Sequence, residues 1–182
     1  MTNASAVKKS YIDGLYGQVH LITAGQENTK KPPLYLLHAT AYSGQVFLPL
    51  IRCLSKERLV YAPDTPGYGG SDRPSHLPDL QGYASAFADV IMRTANKHSG
   101  PIDVLGYHTG VFIALEAAIQ NPDLIRSLIL IGVPHYVGQA REERKSILAA
   151  KSELTEDFEQ FRERWNYFIH DRTPGLSLNR AF

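Results

Sequence analysis

Cysteine occurs once, at Cys53, so no disulfide can form within the chain and its stability must come from packing. Cys53 follows Leu50 and Ile51 on an expected helix, with no base or cationic cluster beside it, and is expected as a small buried side chain. Long hydrophobic runs are lacking too: no stretch approaches the ~18 apolar residues of a membrane helix. Charge of either sign is not in excess, with 19 Lys and Arg against 18 Asp and Glu, a net +1. That balance argues against a global field for nucleic acid or an anionic membrane. The densest basic cluster, Arg141 to Lys145, is interleaved with Glu142 and Glu143 and fits a solvated helix face. Met1 to Asp13 carries Lys8 and Lys9 but no apolar stretch of the kind a secretory signal needs, so a cytoplasmic protein is expected. His20, His76, His98, His135 and His170 lack metal-ligand spacing, and no His-Glu-x-x-His pattern occurs. No metal and no cofactor are expected. Gly67, Gly69 and Gly70 match neither phosphate-binding glycine pattern, which removes nucleotide binding.

What is present is an alternation of short apolar runs and helical patterns. Residues 11–24 alternate around Gly14 and Gly17 and predict a hairpin. Leu34 to Leu37, Leu59 to Ala62, Ile102 to Leu105 and Ile125 to Ile131 are short apolar runs that suit buried strands. Between them, helices are expected over about Gly44 to Leu54, Asp79 to Lys97 and Thr109 to Gln120. Such an order specifies an α/β fold, a mostly parallel sheet with helices on both faces. Ligands bind such sheets at the carboxyl ends of the strands. That directs attention to His38 to Gly44, Asp64 to Ser71, Gly106 to Gly110 and Gly132 to Tyr136. Beyond Gly138 the texture is charged and helical. Phe158, Phe161, Trp165 and Phe168 recur at helical steps and predict one apolar face, packed into a core or capping a pocket. The organisation expected is a core over residues 1–138 and a helical cap over 139–182.

Gly106-Tyr107-His108-Thr109-Gly110 lies between an expected strand and an expected helix, the setting of a G-x-S-x-G nucleophile elbow. Small residues at both ends let strand and helix approach, and the central side chain projects above the sheet. Here that residue is His108. Leu36-Leu37-His38-Ala39-Thr40 ends the first apolar run, and Pro63-Asp64-Thr65-Pro66-Gly67-Tyr68-Gly69-Gly70-Ser71 follows the second. On these motifs, in this order, residues 11–138 resemble the α/β-hydrolase fold family, with Ala39 in place of the usual glycine after the histidine. The resemblance implies an oxyanion hole from the backbone amides of Thr109 and Thr40. It implies pocket loops that include His38, Ala39 and Asp64. His38 is expected to shape its loop, and Asp64 to tie its own through backbone hydrogen bonds. It also implies a small-molecule substrate or ligand, with neither nucleic acid nor membrane as partner.

Two departures bear on chemistry. His108 stands where the family has serine; an imidazole can attack an acyl group or serve as a base, yet no separate base accompanies it. The family's last strands, with its histidine and commonly its acid, would lie beyond Phe182, so the chain reads as truncated, with the C-terminal strands missing. Ser127 to Gly132 would then be an open edge inviting self-association. Three functions follow from the sequence: a hydrolase of a small ester, amide or related bond; a non-catalytic small-ligand binder; or a cofactor-free lyase or oxygenase with histidine as base.

Overall fold

The computed structural model describes residues 6–27, 29–95, 100–149 and 156–166. Strands β1 (Lys8–Gly14) and β2 (Gly17–Ala24) form the expected hairpin. β3 (Leu34–Leu37), β4 (Val60–Pro63), β5 (Ile102–Tyr107) and β6 (Ile125–Ile131) follow, separated by α1 (Leu48–Leu54), α2 (Leu80–Thr94) and α3 (Gly110–Gln120). A short 3-10 turn, Gly44–Phe47, precedes α1, and the Asp79 carboxylate caps α2 by accepting from the Gly82 amide at 2.8 Å. The sheet order is β1-β2-β4-β3-β5-β6, antiparallel over its first two pairings and parallel from β4 to β6.

Period-two alternation divides the core. Tyr35, Leu37 and Tyr61 point to one face, where Phe87, Val90 and Ile91 of α2 and Ala114 and Ala117 of α3 cover them. Leu34, Leu36, Val60 and Ala62 point to the other, against Phe47 and Ile51. Strands covered on both faces need apolar residues at every position, which is why these runs are continuous in the sequence. Cys53, by contrast, is exposed rather than buried. Ile51 is the α1 residue turned fully onto the sheet, and two residues further on a helix has rotated by about 200°. β6 departs from the expectation of a buried strand as well: Ile129, Leu130 and Ile131 are 44%, 36% and 46% exposed. Among the described residues it is an edge of the sheet, paired only with β5.

At the start of the parallel strands lies a buried carboxylate, Asp103. Arg126 grips it bidentately (Nε to Oδ1 2.9 Å, Nη2 to Oδ2 2.8 Å), and Arg58 reaches Oδ2 at 2.5 Å. Burial pushes the Asp103 pKa up, but the hydrogen bonds and charges of the two arginines outweigh it and hold the group below its ordinary value.

Residues up to Pro134 form one compact unit and those from His135 a second. The second contains α4 (Gly138–Ala149) and α5 (Glu159–Asn166), with the Arg144 guanidinium over the Tyr136 ring. The expected aromatic helix face is not a core stripe where it is described. Phe158 precedes α5 with a positive φ of 59°, which takes it off the helical register, and both Phe158 and Phe161 are exposed. The Trp165 side chain and Phe168 lie outside the described part of the structure.

Candidate active site

The turn from β5 into α3 is built by two close approaches. A Cβ on Gly110 would stand 2.3 Å from the Leu37 carbonyl oxygen, and one on Gly106 would stand 2.7 Å from both the Gly110 oxygen and the Val111 Cα. Any side chain at either position would drive strand and helix apart. Between them His108 takes a φ of 52°, a conformation that costs a residue with a Cβ about 1–2 kcal/mol. The surroundings hold it there: its amide donates to the Ile131 oxygen at 2.8 Å, and its carbonyl accepts from Val111 at 3.0 Å. His108 is half-buried, and the eleven-residue α3 starts two residues later, bringing its positive N-terminal end to the turn. Tyr107 turns the other way, its ring packed edge-on against Phe47.

The loop after β3 faces this turn. His38 is buried with both ring nitrogens engaged: Nδ1 lies 2.8 Å from the Ala39 oxygen, and Nε2 accepts from the Thr65 amide at 2.9 Å. A carbonyl can only accept, so Nδ1 carries the proton and the ring is neutral. Burial lowers the His38 pKa, outweighing the Ala39 hydrogen bond and the Asp64 charge, which raise it. Neither nitrogen is left for proton transfer, so His38 holds the Thr65 loop in place. Ala41 has a φ of 70°, so two of the three non-glycine residues with positive φ among the described residues, Ala41 and His108, flank one spot.

Thr40 and Thr109, expected to offer backbone amides, are joined through a side chain. The Thr40 amide donates to Thr109 Oγ1 at 2.5 Å, and the Thr40 hydroxyl donates to the same oxygen at 2.8 Å.

Asp64 is 1% exposed at the end of β4. Its Oδ1 accepts from the Gly44 amide at 2.6 Å, and Oδ2 accepts from the Gly70 amide at 2.8 Å and lies 2.9 Å from His20 Nδ1. It joins β2, the turn before α1 and its own glycine-rich loop. The sequence reading missed His20 as its partner; the available signal was a histidine between Val19 and Leu21 in an alternating strand, where only a paired group can be buried.

A solvent-open cleft of about 180 Å³ lies at this end of the sheet. Its wall includes His38, Thr40, Thr65 and Thr109 on the polar side and Leu80, Tyr83, Phe112 and Ile113 on the apolar side. Gly106, His108 and Gly110 border it through Thr109 rather than lining it, and Ala39 is buried beneath its loop. Among the described residues no carboxylate belongs to its wall. Asp64 lines a smaller apolar recess with Val19, Leu37 and Phe87.

Residues 32–169 match the model of the alpha/beta hydrolase fold family. The chain belongs to that family. The α/β-hydrolase chain is 29% identical over 133 residues to a 2-(acetamidomethylene)succinate hydrolase of Mesorhizobium japonicum, covering 72% of this chain and 47% of that protein. It is 33% identical over 116 residues to a pimeloyl-[acyl-carrier protein] methyl ester esterase of Shewanella sp., covering 63% and 38%. Among solved structures, Cfl2 of Burkholderia cenocepacia superposes with a TM-score of 0.73 at 20% identity, covering 94% of this chain and 61% of that one, a likeness of fold. The α/β-hydrolase chain thus spans about half or less of the length of these two curated relatives.

Proposed function

We propose that the protein hydrolyses a small ester, amide or related bond, with His108 as the central group of the site. The observation that supports this most is the elbow itself: a histidine carried at φ 52° between two glycines that backbone contact forbids from being larger, at the head of α3. A strained position so heavily enforced is characteristic of functional sites. In this reading the imidazole of His108 takes a proton from water as the water oxygen attacks the acyl carbon. The carbonyl electron pair moves onto its oxygen, which the Thr40–Thr109 corner stabilises. Collapse then expels the alcohol or amine, which takes its proton from His108. The hydrolase and esterase names of the curated relatives support the same reaction class. A cytoplasmic setting, in line with the exposed thiol of Cys53, and pairing of a second copy along the β6 edge are parts of the same reading. Among the described residues no helix is long and apolar enough to cross a membrane.

One observation favours a second reading, small-ligand binding without turnover: among the described residues the cleft wall carries no carboxylate to orient a catalytic histidine. Steady-state kinetics with p-nitrophenyl butyrate separate the two. The hydrolase releases many equivalents of nitrophenol per protein, at a rate linear in protein concentration. Saturable binding of the ester with no release beyond one equivalent would move the conclusion to a binding protein.

A further inference from the structure

We infer that the side-chain hydroxyl of Thr109 is itself the oxyanion donor, and that Thr40 acts on the substrate through it. The inference rests on the hydrolytic reading of this corner and assigns the part that a side chain plays in it. A threonine hydroxyl has two acceptor sites and one proton to donate. Both acceptor sites of Thr109 Oγ1 are used by Thr40, by its amide at 2.5 Å and its hydroxyl at 2.8 Å. The remaining Thr109 proton has to point elsewhere, and Thr109 forms part of the cleft wall. A hydroxyl that accepts two hydrogen bonds is polarised and becomes a stronger donor, because bonds in a chain reinforce one another. The Thr40 amide is already committed to Thr109, so what this pair offers an acyl oxygen in the cleft is the Thr109 hydroxyl. The corner is a two-step relay, Thr40 to Thr109 to substrate. The competing arrangement is a plug, in which the Thr109 hydroxyl occupies the place of the substrate oxygen and has to swing away.

The test uses the full chain and butyrate, a small carboxylate that presents an oxyanion without needing turnover. Its affinity is read from amide chemical shifts in a titration, for the parent protein, Thr109→Val, Thr109→Ala and Thr109→Ser, each first checked for an unchanged melting temperature. The relay predicts that Val and Ala both weaken butyrate binding about tenfold, the effect of one hydrogen bond to a charged group. Ser, which keeps the hydroxyl, restores most of it. Tighter or unchanged binding in Thr109→Val or Thr109→Ala overturns the relay, as does the absence of any saturable shift in the parent protein. Since Ala is smaller and Val isosteric, one failing to fold leaves the other to decide. No ester is turned over in this experiment, so a protein that fails to hydrolyse esters but loses butyrate with the Thr109 hydroxyl would refute the hydrolase reading and leave the donor assignment standing.

Discussion

Two buried carboxylates stand at opposite ends of the parallel strands, and they are satisfied in opposite ways. Asp103, at the start of β5, is held by the arginines Arg58 and Arg126. Asp64, after β4, is held by two backbone amides and His20. An arginine clamp fixes a strand end by charge and needs little from the backbone around it. An amide cradle requires the loops to bring their own N–H groups to one point, so it fixes loop shape. The loops needing that shape are those whose neighbours, Thr40, Thr65 and Thr109, line the cleft. The Asp103 end of the sheet is pinned by ions, the cleft end by loop geometry.

The strongest way to break this contrast is to delete each carboxylate. Asp64→Ala leaves two amides and His20 without their acceptor, which costs about 4 kcal/mol at 1–3 kcal/mol per orphaned donor. Chemical denaturation should show that loss equally at low and high salt. Asp103→Asn should cost about 3 kcal/mol, near the lower end for breaking a buried ion pair, because Arg126 is half exposed and can be rehydrated. That penalty should shrink in 1 M salt, where the parent clamp is itself screened. A loss below about 1 kcal/mol would show that the clamp does not hold this end of the sheet.

Acid should separate the two ends in order. The folded pKa of His38 is lowered from 6.5, so the fold favours its neutral form. Its contribution is complete above pH 6.5 and is lost as pH falls below that value and His38 is forced to protonate. A protonated Nε2 can no longer accept from the Thr65 amide. The pKa of Asp103 is also lowered, from 3.8, so its contribution is complete above that and fades only as pH falls through the lowered value. Hydrogen exchange should therefore show the Thr65 amide losing protection in mild acid while the β5–β6 ladder stays protected. Simultaneous loss would contradict the division. The smallest expected effect is at the strained loop: Ala41→Gly relieves a positive φ of 70° and should raise stability by about 1 kcal/mol, read as a higher melting temperature.

The central strands were legible in the sequence because buried parallel strands are continuous apolar runs, and Leu34–Leu37 falls where its run puts it; Ile125–Ile131 is a strand where its run puts one, but without the burial that such a run implies. The elbow was legible for the same kind of reason, since a turn that excludes every Cβ leaves glycine at both Gly106 and Gly110. What escaped was long-range pairing. His20 meets Asp64 across 44 positions, and Arg58 meets Asp103 across 45, separations that local patterns do not encode. The Thr40–Thr109 pairing spans 69 positions and engages the Thr109 side chain, which a reading in backbone amides alone does not anticipate. Cys53 and Phe158 were misplaced because one helical step, or one positive φ, decides which way a side chain faces.

Whether His108 carries the chemistry is decided by comparing kcat/KM for p-nitrophenyl butyrate in the parent protein and His108→Ala. A loss of at least about a hundredfold is expected in the folded variant, the usual contribution of a general base. A variant that keeps the parent kcat/KM would contradict this role of His108 and place the reacting group at another residue.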